Sequence, residues 1–183
     1  MQAALSQTIS SPIVRQTLFV MLFAALTALA AQIEILLTPV PITMQTAAVL
    51  ASGALLGARL GAYSQIAYLV AGLFLPVYSG GGMGMEKLFG VTGGYLFSFP
   101  IAAFVCGLLV HRASSFLMQF VMVFLSSLVT FALGMTWLKV ALSLSWEAAF
   151  MQGVAPHLLG DVIKCGIVTT LCAATHRFGA IKS

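Results

Sequence analysis

The chain has 183 residues, of which 61% are hydrophobic and only 7% charged, with a mean hydropathy of +1.08. Soluble domains carry about 25% charged residues, so a water-soluble globule is excluded, as is a polar domain acting as an ATPase, a protease or a DNA-binding module. The formal charge of +4 and the isoelectric point near 9.2 therefore need a membrane explanation rather than a nucleic-acid partner.

In chain order, residues 16–37 form the first predicted span, apolar until Glu34 and stopped by Thr38-Pro39-Val40-Pro41, where neither proline can donate a helical hydrogen bond. A shorter helix is expected at about 43–57. After a tight turn through Gly57-Ala58-Arg59-Leu60-Gly61, the third span covers about 60–77 and is interrupted near its end by Pro76. A glycine-rich segment leads to the fourth span, about 95–110, closed by His111 and Arg112. The fifth span is 116–138 and the sixth about 154–174, followed by a tail with His176, Arg177 and Lys182. The expected fold is an all-α integral membrane protein: one domain over residues 1–183, six transmembrane helices in a single bundle, and irregular outer loops 1 and 3.

An even number of spans puts both termini on one side. That face carries Arg15, Arg59, Arg112, Arg177 and Lys182, and the other Lys87 and Lys139 with Glu34, Glu86 and Glu147. The positive-inside rule makes the first face, and both termini, cytoplasmic, and the protein a multi-pass component of the cytoplasmic (inner) membrane. Trp137 and Trp146 flank the last outer loop, where an indole either sits at the headgroup level or packs into the bundle. A competing reading treats Arg15, the apolar run and Ala28-Leu29-Ala30 as a cleaved signal peptide, but the run continues past that site to Leu37, long enough to span.

Cys106, Cys165 and Cys172 all fall inside predicted spans without metal-ligand spacing and read as small packing residues. Asp161 and Lys164 are the two ionisable residues well inside a span, where each costs about 2.5–3.5 kcal/mol on insertion scales. Three residues apart on one helix face, they either form a structural ion pair or face a cavity whose ligand supplies an N–H to the carboxylate and a carbonyl or anion to the ammonium.

The first outer loop, Thr38 to Thr46, is too apolar for an exposed connection and too proline-rich for helix. It reads as a lid dipping back onto the bundle with Thr43 and Gln45 as its polar contacts, or as a connector in which they cap the next helix. The segment from Ser79 to Tyr95 holds seven of the 17 glycines, including Gly81 and Gly82, and its backbone can approach a ligand closely or serve simply as a linker. No Walker A loop, H-E-x-x-H or G-x-S-x-G pattern occurs, so no catalytic residues and no cofactor are assigned.

Pro39-Val40-Pro41-Ile42-Thr43-Met44-Gln45-Thr46, Leu75-Pro76-Val77-Tyr78-Ser79-Gly80-Gly81, Phe89-Gly90-Val91-Thr92-Gly93-Gly94-Tyr95 and Gly160-Asp161-Val162-Ile163-Lys164 together resemble the BioY family, in the same order over about 125 residues. Members of that family are biotin-specific S components of energy-coupling factor (ECF) transporters. The sequence departs from the family pattern at Val91, where proline is expected, and at His157, where an apolar aromatic is usual. The resemblance implies a six-helix protein that binds biotin and performs no reaction, working with a transmembrane coupling subunit and, through it, two cytoplasmic ATPase subunits. By the same resemblance Asp161 accepts from the ureido N–H, Lys164 meets the ureido carbonyl or the carboxylate, Tyr95 walls the ring system, and Thr43 and Gln45 close over it. Ala24 and Ala28 form a small-xxx-small ridge for docking on the coupling subunit or for packing inside the bundle. A self-sufficient carrier driven by an ion gradient, with Asp161 as a proton relay, is the alternative, and homo-oligomerisation is left open.

Overall fold

The computed structural model describes residues 11–36 and 38–177; Leu37, at the end of the first predicted span, and Lys182 lie outside them. Helix α1 (Pro12–Ala31) starts where the Ser11 hydroxyl accepts from the Val14 amide at 3.3 Å and Pro12 stands in the first turn, whose amides have no helical acceptor. Two-residue strands β1 (Glu34–Ile35) and β2 (Ile42–Thr43) follow, paired antiparallel with Glu34 opposite Thr43 and Ile35 opposite Ile42. Helices α2 (Gln45–Leu56) and α3 (Ala58–Gly72) meet at Gly57, whose φ of 83° is open to glycine without strain. A 3-10 turn (Ser79–Gly81) and the short helix α4 (Gly84–Leu88) lead to α5 (Gly93–Val110). Helix α6 (Phe116–Ala141), helix α7 (Trp146–Gly153), a 3-10 turn (Ala155–His157) and α8 (Leu158–Arg177) complete the order.

Three of the differences from the sequence reading have a clear local reason. Helix α1 stops at Ala31 because the chain turns into the β pair that carries Thr38-Pro39-Val40-Pro41 back across the bundle. Helix α3 ends at Gly72, four residues before Pro76, the spacing at which a proline ring collides with a helical carbonyl. Ahead of α8 lies the separate helix α7, capped by the Ser145 hydroxyl on the Ala148 amide at 3.1 Å. Among the described residues, α1, α5, α6 and the stretch Trp146–Thr175 are long and apolar enough to cross a membrane. The 12 and 15 residues of α2 and α3 rise only about 18 and 22 Å.

Helix α5 is the hub, packing most extensively on α6 and then on α3 and α2, while α2 also meets α1 and α8. These crossings are close because small residues stand at them. A Cβ on Gly53 would lie 2.0 Å from the Ala103 carbonyl oxygen, and one on Gly107 2.3 Å from the Ala58 amide nitrogen. Replacing Gly53 with alanine should force α2 and α5 apart at a cost of about 1–3 kcal/mol. Thermal unfolding in detergent is expected to show a midpoint roughly 2–12 °C lower; an unchanged midpoint would mean that the crossing yields freely.

Several polar side chains inside the bundle pair with one another. Gln65 Nε2 lies within hydrogen-bond distance of the Thr27, Ser52 and Ser64 hydroxyls at 3.2, 3.1 and 3.0 Å, joining α1, α2 and α3 through fully buried side chains. Thr27 thereby makes α1 an integral part of the bundle. Large apolar side chains instead face outward, among them Leu18, Met21, Leu22 and Leu29 on α1, Leu117 and Leu125 on α6, and Leu159, Ile163 and Leu171 on α8. Polar inside and apolar outside is the inversion that lipid demands. Trp137 packs against Phe89 and Phe97 and donates to the Gly90 carbonyl at 2.9 Å, so it belongs to the bundle. Trp146 is exposed, with the Lys139 ammonium 5.2 Å from its ring centre. The three cysteines are buried and unbridged, as packing residues should be.

Candidate binding site

A cavity of about 50 Å³ opens between α2, α5, α6 and α8 at the end of the bundle covered by the two irregular loops. Val40, Pro41 and Thr43 form one side, Gln45 and Thr46 the start of α2, and Tyr78, Ser79, Lys87 and Thr92 the glycine-rich side. Tyr95, Leu96 and Phe99 of α5, Thr130 and Phe131 of α6, His157 and Lys164 complete the wall.

Asp161 and Lys164 of α8 are both buried, and each is held by a neutral partner from another helix. The Asp161 carboxylate accepts from Ser127 Oγ of α6 at 2.6 Å through Oδ2, while its Oδ1 is buried with no partner among the described residues. The Lys164 ammonium donates to Thr46 Oγ1 at 3.1 Å and lines the cavity. Asp161 lies on the same helix face as Lys164, three residues before it and four after His157 of the preceding 3-10 turn, but is not itself part of the cavity wall.

Gln45 is fixed from both ends. Its Oε1 accepts from Thr43 Oγ1 at 2.9 Å and its Nε2 donates to Tyr68 Oη at 2.6 Å. The Tyr68 hydroxyl in turn donates to the Val77 carbonyl at 3.3 Å, which ties this group to the chain leaving α3. The first loop is thus folded onto the bundle: Val40 and Thr43 are buried, and Pro41 reaches the cavity. Tyr95 presents its ring to the cavity and spends its hydroxyl on the Gly153 carbonyl at 2.8 Å. Gly134 leaves room for that ring, since a Cβ there would fall 2.3 Å from it.

The loops are joined to each other over the cavity. Ser79 Oγ donates to the Glu34 carboxylate, and Gln32 Nε2 donates to the Tyr78 carbonyl at 3.2 Å. Tyr78 packs edge-on against Tyr68 at 5.6 Å and donates to the Leu69 carbonyl at 2.7 Å; burial pushes its phenol above the ordinary value. Gly80 and Gly81 take φ values of 67° and 68°, which is what the turn requires of glycine. Gly81 and Gly82 do not line the cavity; their neighbours Tyr78 and Ser79 do. Ala24 is buried in the core and Ala28 packs against the same core, so that ridge faces the bundle.

Sequence reasoning missed Ser127, Tyr68, Phe99, Thr130 and Phe131. Ser126, Ser127 and Thr130 in an otherwise apolar span were the available signal, since small polar residues there tend to mark contacts between helices.

Outward apolar faces and inward polar networks define a multi-pass membrane protein, and the cavity under its two joined loops is the candidate binding site. The model of the BioY family matches residues 1–180. The chain is 36% identical over 151 residues to the probable biotin transporter BioY of Pyrococcus horikoshii, covering 82% of this chain and 89% of that protein. It is 34% identical over 160 residues to the biotin transporter BioY of Thermotoga maritima, covering 87% and 94%. The fold matches the crystal structure of the S component for biotin from an ECF-type ABC transporter with a TM-score of 0.82 at 22% identity, over 90% of this chain and 92% of that one. The chain belongs to the BioY family.

Proposed function

We propose that this chain is the substrate-binding subunit of an ECF-type transporter, that it binds biotin in the cavity described above, and that it serves biotin uptake across the cytoplasmic membrane without itself catalysing a reaction. In this reading the whole chain is one domain; α1, α2, α3, α5, α6 and α8 are its six crossings, and both termini face the cytoplasm. The observation that carries the proposal is the pair of buried charges on α8. Asp161 Oδ1, an acceptor without a partner among the described residues, stands one helical turn before the Lys164 ammonium that lines the cavity, at a membrane depth where a lone charge is costly.

Biotin offers what those groups need: two ureido N–H donors, a carbonyl, an apolar bicyclic ring and a carboxylate. Asp161 Oδ1 accepts a ureido N–H and Lys164 donates to an oxygen of the ligand, both charge-assisted bonds. Tyr95 walls the ring together with Phe99 and Phe131, Thr43 and Gln45 close over it, and Gly81 and Gly82 shape the turn that brings Ser79 to the cavity. Tyr95→Phe strands the Gly153 carbonyl, a loss of about 1 kcal/mol or ~5-fold in affinity; isothermal titration with biotin measures it, and unchanged affinity would show that the bond does not hold the ring in place.

The partners are a transmembrane coupling subunit, met along α1, and two ATPase subunits behind it. Since Ala24 and Ala28 pack on the core, bulky residues there should lower both thermal stability and co-purification with the coupling subunit. Loss of co-purification at full stability would instead make that ridge a docking surface.

Uptake of labelled biotin by biotin-requiring cells tests the function. Uptake is expected only when the coupling and ATPase subunits are co-expressed. Uptake by this chain alone, abolished by collapsing the proton gradient, would establish the ion-coupled carrier instead.

A further inference from the structure

His157 is 93% buried by its 7% exposure, it lines the cavity, and neither ring nitrogen has a partner among the described residues. Backbone groups of Val40 and Pro41 stand close to the ring, but neither meets hydrogen-bond geometry with it, so this buried imidazole, edge-on to Phe131 at 6.4 Å, keeps its nitrogens open to a ligand. We propose that His157 is a ligand-binding residue that donates a hydrogen bond to the carboxylate of the bound acid at the loop end of the cavity. This rests on the biotin reading above and deepens it by orienting the ligand.

The direction follows from where the charges stand. Lys87, Lys164 and His157 line the cavity, and no carboxylate lines it among the described residues, so an anionic group is welcome there. Asp161 follows His157 of the 3-10 turn by four residues and precedes Lys164 on α8 by three; its free oxygen invites an N–H and repels an anion. The donor end of the ligand therefore lies inward, where Lys164 takes the ureido carbonyl, and the acid end lies outward, where His157 and Lys87 face it. In either protonation state the imidazole has at least one N–H to give.

Titration calorimetry of the detergent-solubilised protein with biotin and with biotinamide, its uncharged primary amide, tests the assignment. Wild type should prefer biotin. His157→Phe should weaken biotin about 10-fold and biotinamide no more than about 2-fold, while His157→Gln, which keeps an N–H, should hold biotin within about 3-fold of wild type. His157→Leu is expected to repeat the selective loss, so whichever apolar variant folds decides. Equal weakening of both ligands would reduce His157 to packing against Phe131, and unchanged affinities would remove it from the site; either overturns the proposal while leaving biotin binding intact. A folded wild type that binds neither ligand would overturn the functional reading itself, and this proposal with it.

Discussion

Asp161→Asn is expected to weaken biotin binding on the order of 100-fold while leaving the helical bundle folded. Asparagine keeps an oxygen to accept from Ser127, so the contact between α6 and α8 survives. It places an amide where the unpartnered Oδ1 now stands, exchanging a charged acceptor for a neutral group that presents a donor on one orientation. A ureido N–H then meets a weaker acceptor or another N–H. Titration calorimetry paired with a thermal unfolding scan separates the effects: affinity should collapse and the unliganded midpoint should stay. Retained affinity would assign Asp161 to the bundle alone.

Lys164→Met is expected to cost far more binding than stability. The ammonium is buried and bonds only Thr46 among the described residues, and its attraction to the Asp161 carboxylate offsets part of its desolvation at membrane depth. Methionine fills nearly the same volume and removes the desolvation cost together with that attraction, so the unliganded protein should unfold close to the wild-type temperature. Biotin affinity should fall on the order of 30-fold with loss of a charge-assisted bond. A parallel fall in both would identify Lys164 as a structural residue.

Much of this site was legible because charge in an apolar span is conspicuous. Asp161 and Lys164 stood out from composition alone, and the proline-rich segment before Gln45 could be recognised as folding back because it suited neither helix nor solvent. The partners of those residues were not legible. Ser127 Oγ lies 2.8 Å from the Phe124 carbonyl of its own helix as well as near Asp161, and the first contact is what any serine in a span makes, so nothing in the sequence singles out the second. Gly81 and Gly82 illustrate the converse. Glycine reports that the backbone is free to turn, not which residue the turn delivers, and here it delivers Tyr78 and Ser79. The alanine ridge at 24 and 28 states that α1 approaches something closely without saying on which side.

The fold shows the same division. Long apolar helices and the Gly57 turn follow from composition and stereochemistry. The β pair does not, because two residues per strand carry no periodicity; its register comes from prolines that bend the chain and from a floor of packed helices beneath it. Helix α7 escaped because eight residues between two spans look like any loop, although Ser145 and Glu147 are the cap and first-turn acid of a short helix.

The structure of the protein saturated with biotin, by crystallography or electron cryomicroscopy, tests the central claim most directly. The ligand should lie between Tyr95, Phe131 and Lys164 with a ureido nitrogen about 3 Å from Asp161 Oδ1. Biotin seated elsewhere on the molecule, or a cavity that stays empty at saturation, would contradict it.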